Sequence, residues 1–387
     1  MIIGVPKEIM HGEARVSSTP ETVKKMVNDG LTVLVEKGAG LGAFYLDKGY
    51  EEAGAIMVSD PQEIYDKADV ILKVKEPQFN EQKNKHEIEM MHEGQVLITF
   101  IHPAAPVNHA VVKRMAEKKI VGLTLDGIPR ISRAQSMDAL SSMSVCAGYK
   151  GILMAANDIA KFIPMVVSGV GMLKPCNVFV IGTGVAGLRA VATAKSLGAV
   201  VYSADIRPEA NEQAMSLGAK IVDTGVPAEI AVSPDGKHAN KLPEEWLAKE
   251  RENLKETVKN ADIIFCSALL FGQLAPILLT EDMVKSMKPG SCIVDISIDQ
   301  GGNCAITSPG IRDVKHGVVI EGIKNIPGML ASSSTWMFAQ NIYNLLKYLT
   351  KDGKIALDTN DEIVSSILVT TYEGEIVHKG AREAMGL

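Results

Sequence analysis

The sequence predicts an α/β fold made of two Rossmann-like, doubly wound parallel sheets with a cleft between them. Three observations carry that prediction. The 387 residues exceed the roughly 250 to 300 that one hydrophobic core serves, so two domains are expected. Short apolar, β-branched runs alternate with longer amphipathic stretches. The alternation occurs in two separate series, and each has the spacing of strands joined by crossover helices.

The first series of runs lies at residues 2–5, 32–36, 69–73, 96–101 and 120–125. Among the helices between them, 20–29 is the best marked: Thr19 stands at its N-cap, Pro20 at its first position and Gly30 just past its end. Residues 136–163 hold few helix breakers and carry apolar positions at helical spacing, which predicts a long helix leading from one series to the next. The second series lies at 178–181, 200–204, 263–267, 291–295 and 318–321, with helical segments such as 281–287 between the runs. A final helix over 332–348 is expected to return to the first domain. The division that follows is 1–135 plus 330–387 for one domain and 136–329 for the other. A ligand is expected in the cleft, beyond the carboxyl ends of the strands.

Composition narrows the function classes. Hydrophobic residues make up 46% and charged residues 22%, as in a globular protein, and the net charge of −6 offers no basic field for nucleic acid. The N-terminus reads straight into a strand, without the pattern of a cleaved leader, which predicts a cytoplasmic protein. The most apolar stretch, 163–173, is closed by Lys161 and Lys174 and is shorter than the ~18 residues of a membrane span. Cys146, Cys176, Cys266, Cys292 and Cys304 include no Cys-x-x-Cys pair and read as apolar fillers in a reducing compartment. No His-x-x-x-His pair, Cys-His cluster or Gly-x-Ser-x-Gly elbow points to metal or nucleophilic chemistry. The polar segment 222–245, rich in Gly and Pro, is long for a connection within a domain and reads as a lid or a disordered loop.

The strongest chemical signal is Val180-Ile181-Gly182-Thr183-Gly184-Val185-Ala186-Gly187. A strand precedes it, an Ala-rich helix follows, and Asp205 ends the next strand, which together form the dinucleotide fingerprint. Gly182 permits the tight turn, Gly184 lets a pyrophosphate approach the backbone, and Gly187 lets the helix pack on the sheet. The unpaired N–H groups of the helix start face the phosphates. Asp205 suits the adenosine ribose hydroxyls and repels a 2′-phosphate, which predicts NAD(H); Arg207, two residues on, is of the kind that accommodates one. The domain 136–329 is therefore read as NAD(H)-binding and the other as catalytic.

From this point the sequence resembles the superfamily of alanine dehydrogenases and the NAD(H)-binding domain of proton-translocating NAD(P) transhydrogenase, over nearly the whole chain. The run Pro129-Arg130-Ile131-Ser132-Arg133-Ala134-Gln135-Ser136-Met137-Asp138-Ala139-Leu140-Ser141-Ser142 is similar to the transhydrogenase loop that holds the nicotinamide. By that resemblance Arg130, Gln135 and Asp138 fix the ring and its amide for transfer to NADP+ on a partner. Read from the residues alone, Arg130, Arg133 and Asp138 form an ion-pair cluster or a helix cap. The segment 222–245 is similar to the mobile loop that closes over nucleotide in the same domain. The resemblance implies NADP(H)-binding and membrane subunits as partners, a homodimer or larger oligomer, and a peripheral place on the inner face of the cell membrane.

The alanine dehydrogenase branch is represented too: Arg15, Lys75, His102 and Asp299 resemble its catalytic set. Such a set suits a 2-oxo acid, because two cations hold its oxygens, an imidazole exchanges protons near neutral pH and a carboxylate assists the carbinolamine steps. Each residue is expected at a strand end. The segment 268–276, with Ala268, Leu269 and Leu270 expected to line the cofactor, departs from the family in placing Phe271 before Gly272 where a Pro is usual. Met329, after Asn325-Ile326-Pro327-Gly328, stands where many transhydrogenases have a basic residue close by. Three functions remain open on sequence: transhydrogenase subunit, amino-acid dehydrogenase, and a non-catalytic NAD(H) sensor.

Overall fold

Each series of apolar runs folds into a seven-stranded sheet. The computed structural model describes residues 1–233, 239–270 and 274–387. The chain divides into two units, Met1–Met143 with Gly328–Leu387, and Ser144–Pro327.

In the first unit the strand order is Leu368–Thr370, Val121–Thr124, Val96–Thr99, Val70–Leu72, Ile2–Val5, Thr32–Glu36 and Ile56–Val58. Every residue of Val70–Leu72, Val96–Thr99 and Val121–Thr124 is buried, as a sheet covered on both faces requires. All pairings are parallel except that of Leu368–Thr370, which runs antiparallel to Val121–Thr124. That strand and Ile56–Val58, the two edges of the sheet, escaped the sequence reading. The helix Pro20–Asn28 starts as expected, with Thr19 and Thr22 forming a reciprocal capping box. The helix Ala331–Leu349 belongs to this unit, and its Tyr343 hydroxyl donates to Asp29 at 2.7 Å.

In the second unit the order is Lys220–Ile221, Val200–Ala204, Asn177–Ile181, Ile263–Cys266, Cys292–Asp295, Val318–Glu321 and Arg312–Lys315. The last strand is again antiparallel. In both sheets the chain winds outward one way and then the other from its first strand. The order reverses between Ile2–Val5 and Val70–Leu72 in one sheet, and between Asn177–Ile181 and Ile263–Cys266 in the other. Loops at such reversals splay apart and open a crevice at the strand carboxyl ends.

Three segments differ from expectation. The single helix read over 136–163 is a 3-10 turn, Ser132–Met137, followed by the helix Ala139–Asp158, because Asp138 caps the helix. The apolar stretch 163–173 becomes an antiparallel hairpin of Val166–Ser168 and Gly171–Leu173, with Val167, Met172 and Leu173 exposed and Val170 at its tip 100% accessible. The polar segment 222–245 contains a short helix, Ala228–Ala231, and a bridge between Val232 and Ala239, while residues 234–238 of that segment lie outside the described residues. Among the described residues no helix is long and apolar enough to cross a membrane.

Candidate functional site

The glycine turn follows the central strand of the second sheet. Gly182 has φ +84°, and a Cβ there would lie 2.6 Å from the Ala268 amide nitrogen. A Cβ on Gly187 would overlap the Gly182 carbonyl oxygen. Around Gly184, the N-cap of the helix Val185–Ser196, no protein atom lies within 4 Å of the place a Cβ would take. Two glycines are thus required by the protein's own packing, whereas the third leaves open space in front of a helix start. That is the arrangement in which helix N–H groups and the positive end of the dipole accept a phosphate, so the turn fits a dinucleotide.

Asp205, one residue beyond the strand Val200–Ala204, is buried and tied back to the turn. It accepts from the Thr183 amide at 2.8 Å and from the Thr183 hydroxyl at 3.4 Å. Arg207 closes on the same carboxylate, Nε to Oδ1 at 3.0 Å and Nη2 to Oδ2 at 2.9 Å. The arginine is therefore committed to Asp205. Ala268 packs against Gly182, Leu270 is buried and Leu269 exposed. Phe271 and Gly272, where the sequence reading expects a departure from the family, lie outside the described residues. Sequence reasoning missed Asn303: fully buried, it donates to the carbonyls of Ala268 and Pro276 at 2.9 Å and accepts from the Ala268 amide at 3.0 Å. Its only advance sign was the Gly301-Gly302 pair, at φ +97° and +80°, which turns the chain into it.

In the first unit, Lys75 and His102 follow strand ends, whereas Arg15 lies in the loop between Ile2–Val5 and Pro20–Asn28 rather than at a strand end. Its guanidinium is buried against Glu13, Nη2 to Oε2 at 2.6 Å and Nε to Oε1 at 2.8 Å. Lys75 forms no ion pair among the described residues, and the Thr99 hydroxyl donates to its carbonyl at 2.9 Å. The residue the sequence passed over is Lys73, whose side chain is 1% exposed and bonds Glu87 at 2.9 Å and Glu8 at 3.2 Å. Burial raises the pKa of Glu8, against the pull of Lys73. For Lys73 burial opposes the charge, but the two glutamates overcome it and hold its pKa above the usual lysine value. Glu8 also accepts from the Val74 amide at 2.6 Å, so this buried cluster fixes the backbone that presents Lys75.

His102 stands at φ +49°, a left-handed conformation uncommon for residues other than Gly and associated with functional sites. Asp126, unremarked in the sequence, holds it from two sides: Oδ1 lies 2.7 Å from Nδ1, and Oδ2 accepts the His102 amide at 2.8 Å. The Thr124 hydroxyl donates to Oδ2 at 2.5 Å, and the ring stacks on Phe100 with planes 3° apart. Burial would lower the His102 pKa, but the Asp126 charge and hydrogen bond outweigh it and raise it. The same contact holds Asp126 below the usual carboxylate value, against its own burial. Nδ1 is thereby committed and Nε2 left for other chemistry. Lys75 is near enough that its charge opposes protonation of His102.

The loop 129–142 divides into pinned and unpinned residues. Arg133 pairs with Asp361 at 2.7 Å and donates to the Tyr348 hydroxyl at 2.7 Å. Asn341 and Asn344 donate to the Ser136 carbonyl at 2.9 and 3.1 Å. Asp138 caps the helix Ala139–Asp158, receiving the Ser141 amide at 2.8 Å and its hydroxyl at 2.6 Å. The bland alternative, ion pair or cap, thus describes Arg133 and Asp138. It does not describe Arg130 or Gln135, which are exposed and whose side chains have no hydrogen-bond or ion-pair partner among the described residues. Asp299 stands on the second unit, in the 3-10 turn Ile298–Gln300, exposed and 3.4 Å from Lys324.

Comparison with known proteins identifies the family. The N-terminal domain of the alanine dehydrogenase/PNT family matches residues 4–147, and its C-terminal domain matches 151–379. An NAD(P) transhydrogenase subunit alpha chain of Rhodospirillum rubrum is 42% identical over 381 residues, 98% of each chain. The alanine dehydrogenase of Staphylococcus haemolyticus is 34% identical over 396 residues, covering 100% of this chain and 97% of its own. A solved transhydrogenase from Sinorhizobium meliloti superposes with a TM-score of 0.84 at 36% identity, covering 97% of this chain and 100% of its own.

Proposed function

The chain belongs to the alanine dehydrogenase/PNT family, and from that premise we propose that it is the NAD(H)-binding subunit of an NAD(P) transhydrogenase. Hydride passes between NAD(H) held by this chain and NADP(H) held by a partner subunit, coupled to proton movement in membrane subunits. The greater likeness to transhydrogenase subunits than to alanine dehydrogenases favours it, 42% against 34% identity. The observation that carries it is the loop 129–142: its frame is pinned by Arg133, Ser136 and Asp138 while Arg130 and Gln135 have no partner among the described residues. Long polar side chains kept free on a fixed frame suit an amide and ring that arrive with a ligand.

The nicotinamide supplies the hydride chemistry when bound. The chain's own contribution is placement: the glycine turn receives the pyrophosphate, Asp205 the adenosine ribose, and Arg130 and Gln135 the nicotinamide end. Such transfer needs no acid or base from the protein. The partners are NADP(H)-binding and membrane subunits, through which this chain sits at the inner face of the cell membrane. The hairpin 166–173, apolar and exposed, suits burial against a second copy, which makes a homodimer the smallest assembly. Mixing the chain with an NADP(H)-binding partner and NADH, and following reduction of an NADP+ analogue, tests the proposal. A blank with a partner competent towards another NAD(H) subunit overturns it.

A second reading is supported by His102 with Asp126, a poised imidazole that direct hydride transfer does not use. In that reading Arg15, Lys75, His102 and Asp299 serve NAD+-dependent deamination of an amino acid. A screen of amino acids with NAD+ tests it without a partner. Turnover abolished in His102→Ala and Asp299→Asn supports it, and no turnover with any amino acid removes it.

A further inference from the structure

Glu250 is a buried acid with no hydrogen-bond partner among the described residues. The helix Glu244–Asn260 has a buried stripe of Glu250, Leu254 and Val258, four residues apart and so on one face. Leu254 and Val258 belong to the same buried apolar cluster as Ile181 and Ala204, the residues that end the two strands before Gly182 and Asp205. A helix joining parallel strands runs against them, so the next turn back along the stripe lies beyond the strand carboxyl ends, beside Asp205. There the pattern calls for an apolar residue. Instead Glu250 stands 4% exposed and accepts no hydrogen bond among the described residues. Its neighbour Arg251 is engaged elsewhere, donating to the Ile277 carbonyl at 2.8 Å and pairing with Glu244. The carboxyl oxygens are not among the sealed, unpartnered polar atoms, so the small opening that Glu250 keeps is at its acid end, and a carboxyl on so buried a residue with no partner asks for an explanation outside the protein's own contacts.

We propose that Glu250 is a second carboxyl of the adenosine-ribose site, set beside Asp205 to exclude a dinucleotide that carries a 2′-phosphate. This deepens the NAD(H) reading and rests on it. A ribose with two hydroxyls tolerates either form of Glu250, since a protonated carboxyl donates and an ionised one accepts. A 2′-phosphate brings a charge of about −1.5 to −2 against Asp205 and Glu250 together, while Arg207 is already held on Asp205. Among the described residues, the charged groups facing Glu250 are Asp205, from the strand end, and Arg251, from its own helix. Burial first, then the Asp205 charge, push Glu250 up to about 7, with Arg251 opposing. The second negative charge therefore switches on across neutral pH.

The test is fluorescence titration of NADH and NADPH at pH 6 and pH 8.5 with the full chain and its E250Q variant. The wild type should prefer NADH more strongly at pH 8.5, by roughly tenfold more than at pH 6. E250Q should lose about tenfold of that preference at pH 8.5, keep its NADH affinity within about threefold, and retain only the pH slope due to ionisation of the phosphate itself. Equal NADH-to-NADPH ratios in the two proteins at both pH values overturn the proposal. Should E250Q not fold, a wild-type preference that fails to rise between pH 6 and 8.5 overturns it alone. No NADH binding by the wild type at either pH overturns the nucleotide-site reading, and this proposal with it.

Discussion

Both sheets reverse their strand order beside their first strand, yet they present different materials at that point. The second sheet presents backbone: a turn shaped by Gly182 and Gly187, then the open helix start at Gly184. The first presents side chains, and most are already committed, Arg15 to Glu13 and His102 to Asp126, with Lys73 beneath Lys75 held by Glu8 and Glu87. The contrast separates two ways of building a site. Backbone recognition depends on where a few glycines fall along the chain. Side-chain recognition depends on partners that lie from two to 65 residues away, and on which charges stay uncompensated once those partners are counted.

The largest effect tests the backbone half. Gly187→Ala should abolish NADH binding and destabilise the second unit severely, because its Cβ overlaps the Gly182 carbonyl. Gly184→Ala meets no protein atom, so its melting temperature should stay near wild type while NADH affinity falls by roughly tenfold or more. Comparable damage from both substitutions would break the distinction between a glycine needed by the fold and one needed by the ligand. Next, Lys73→Met leaves Glu8 and Glu87 buried without their cation and should cost about 3–5 kcal/mol in urea unfolding at pH 7. A cost near zero would mean that the cluster does not hold the Lys75 strand end.

Smaller effects sharpen the side-chain half. Arg130→Ala should leave stability within about 0.5 kcal/mol while slowing hydride transfer to an NADP(H) partner by roughly 100-fold. Arg133→Ala should do the reverse, lowering the melting temperature slightly through loss of its Asp361 pair while changing the rate little. The smallest change is expected for Asp126→Asn, and its pH dependence is the readout. His102 has a raised pKa, so its share of the pair's stability is complete below its ordinary value of 6.5 and is lost as pH rises through the higher folded value. Asp126 has a lowered pKa, so its share is present above its ordinary value of 3.8 and is lost as pH falls through the lower folded one. Asp126→Asn should therefore destabilise the chain most between those limits, by under about 1 kcal/mol because the His102 side chain is 44% exposed, and less at pH 9, where only the bonds from the His102 amide and the Thr124 hydroxyl remain.

The same contrast governs what could be read in advance. Ten of the strand runs and the glycine turn were legible because burial and turn geometry write themselves locally, as β-branched runs and as glycines at fixed spacing. The edge strands Lys220–Ile221 and Arg312–Lys315 were not legible, being short or half-exposed and stabilised by a single neighbour. Nor was the hairpin 166–173, whose apolar residues imitate a buried segment although most are exposed. In the first unit, Lys75 and His102 could be picked out, but Lys73, Asp126 and Glu87 could not. Their importance lies in pairings 14 to 24 residues apart in sequence, which no local pattern encodes. Glu250 illustrates the limit most clearly, since a glutamate in a charged helix reads as solvated until its burial is seen.

The five cysteines offer a practical consequence. All are buried and none is bridged, so the folded chain displays no native thiol to an alkylating dye. A single cysteine introduced at exposed Ser132, in the loop beside Arg130, or at the hairpin tip Val170 is then uniquely addressable. Fluorophores at those two places would report, without background labelling, on arrival of a redox partner and on self-association as separate optical signals.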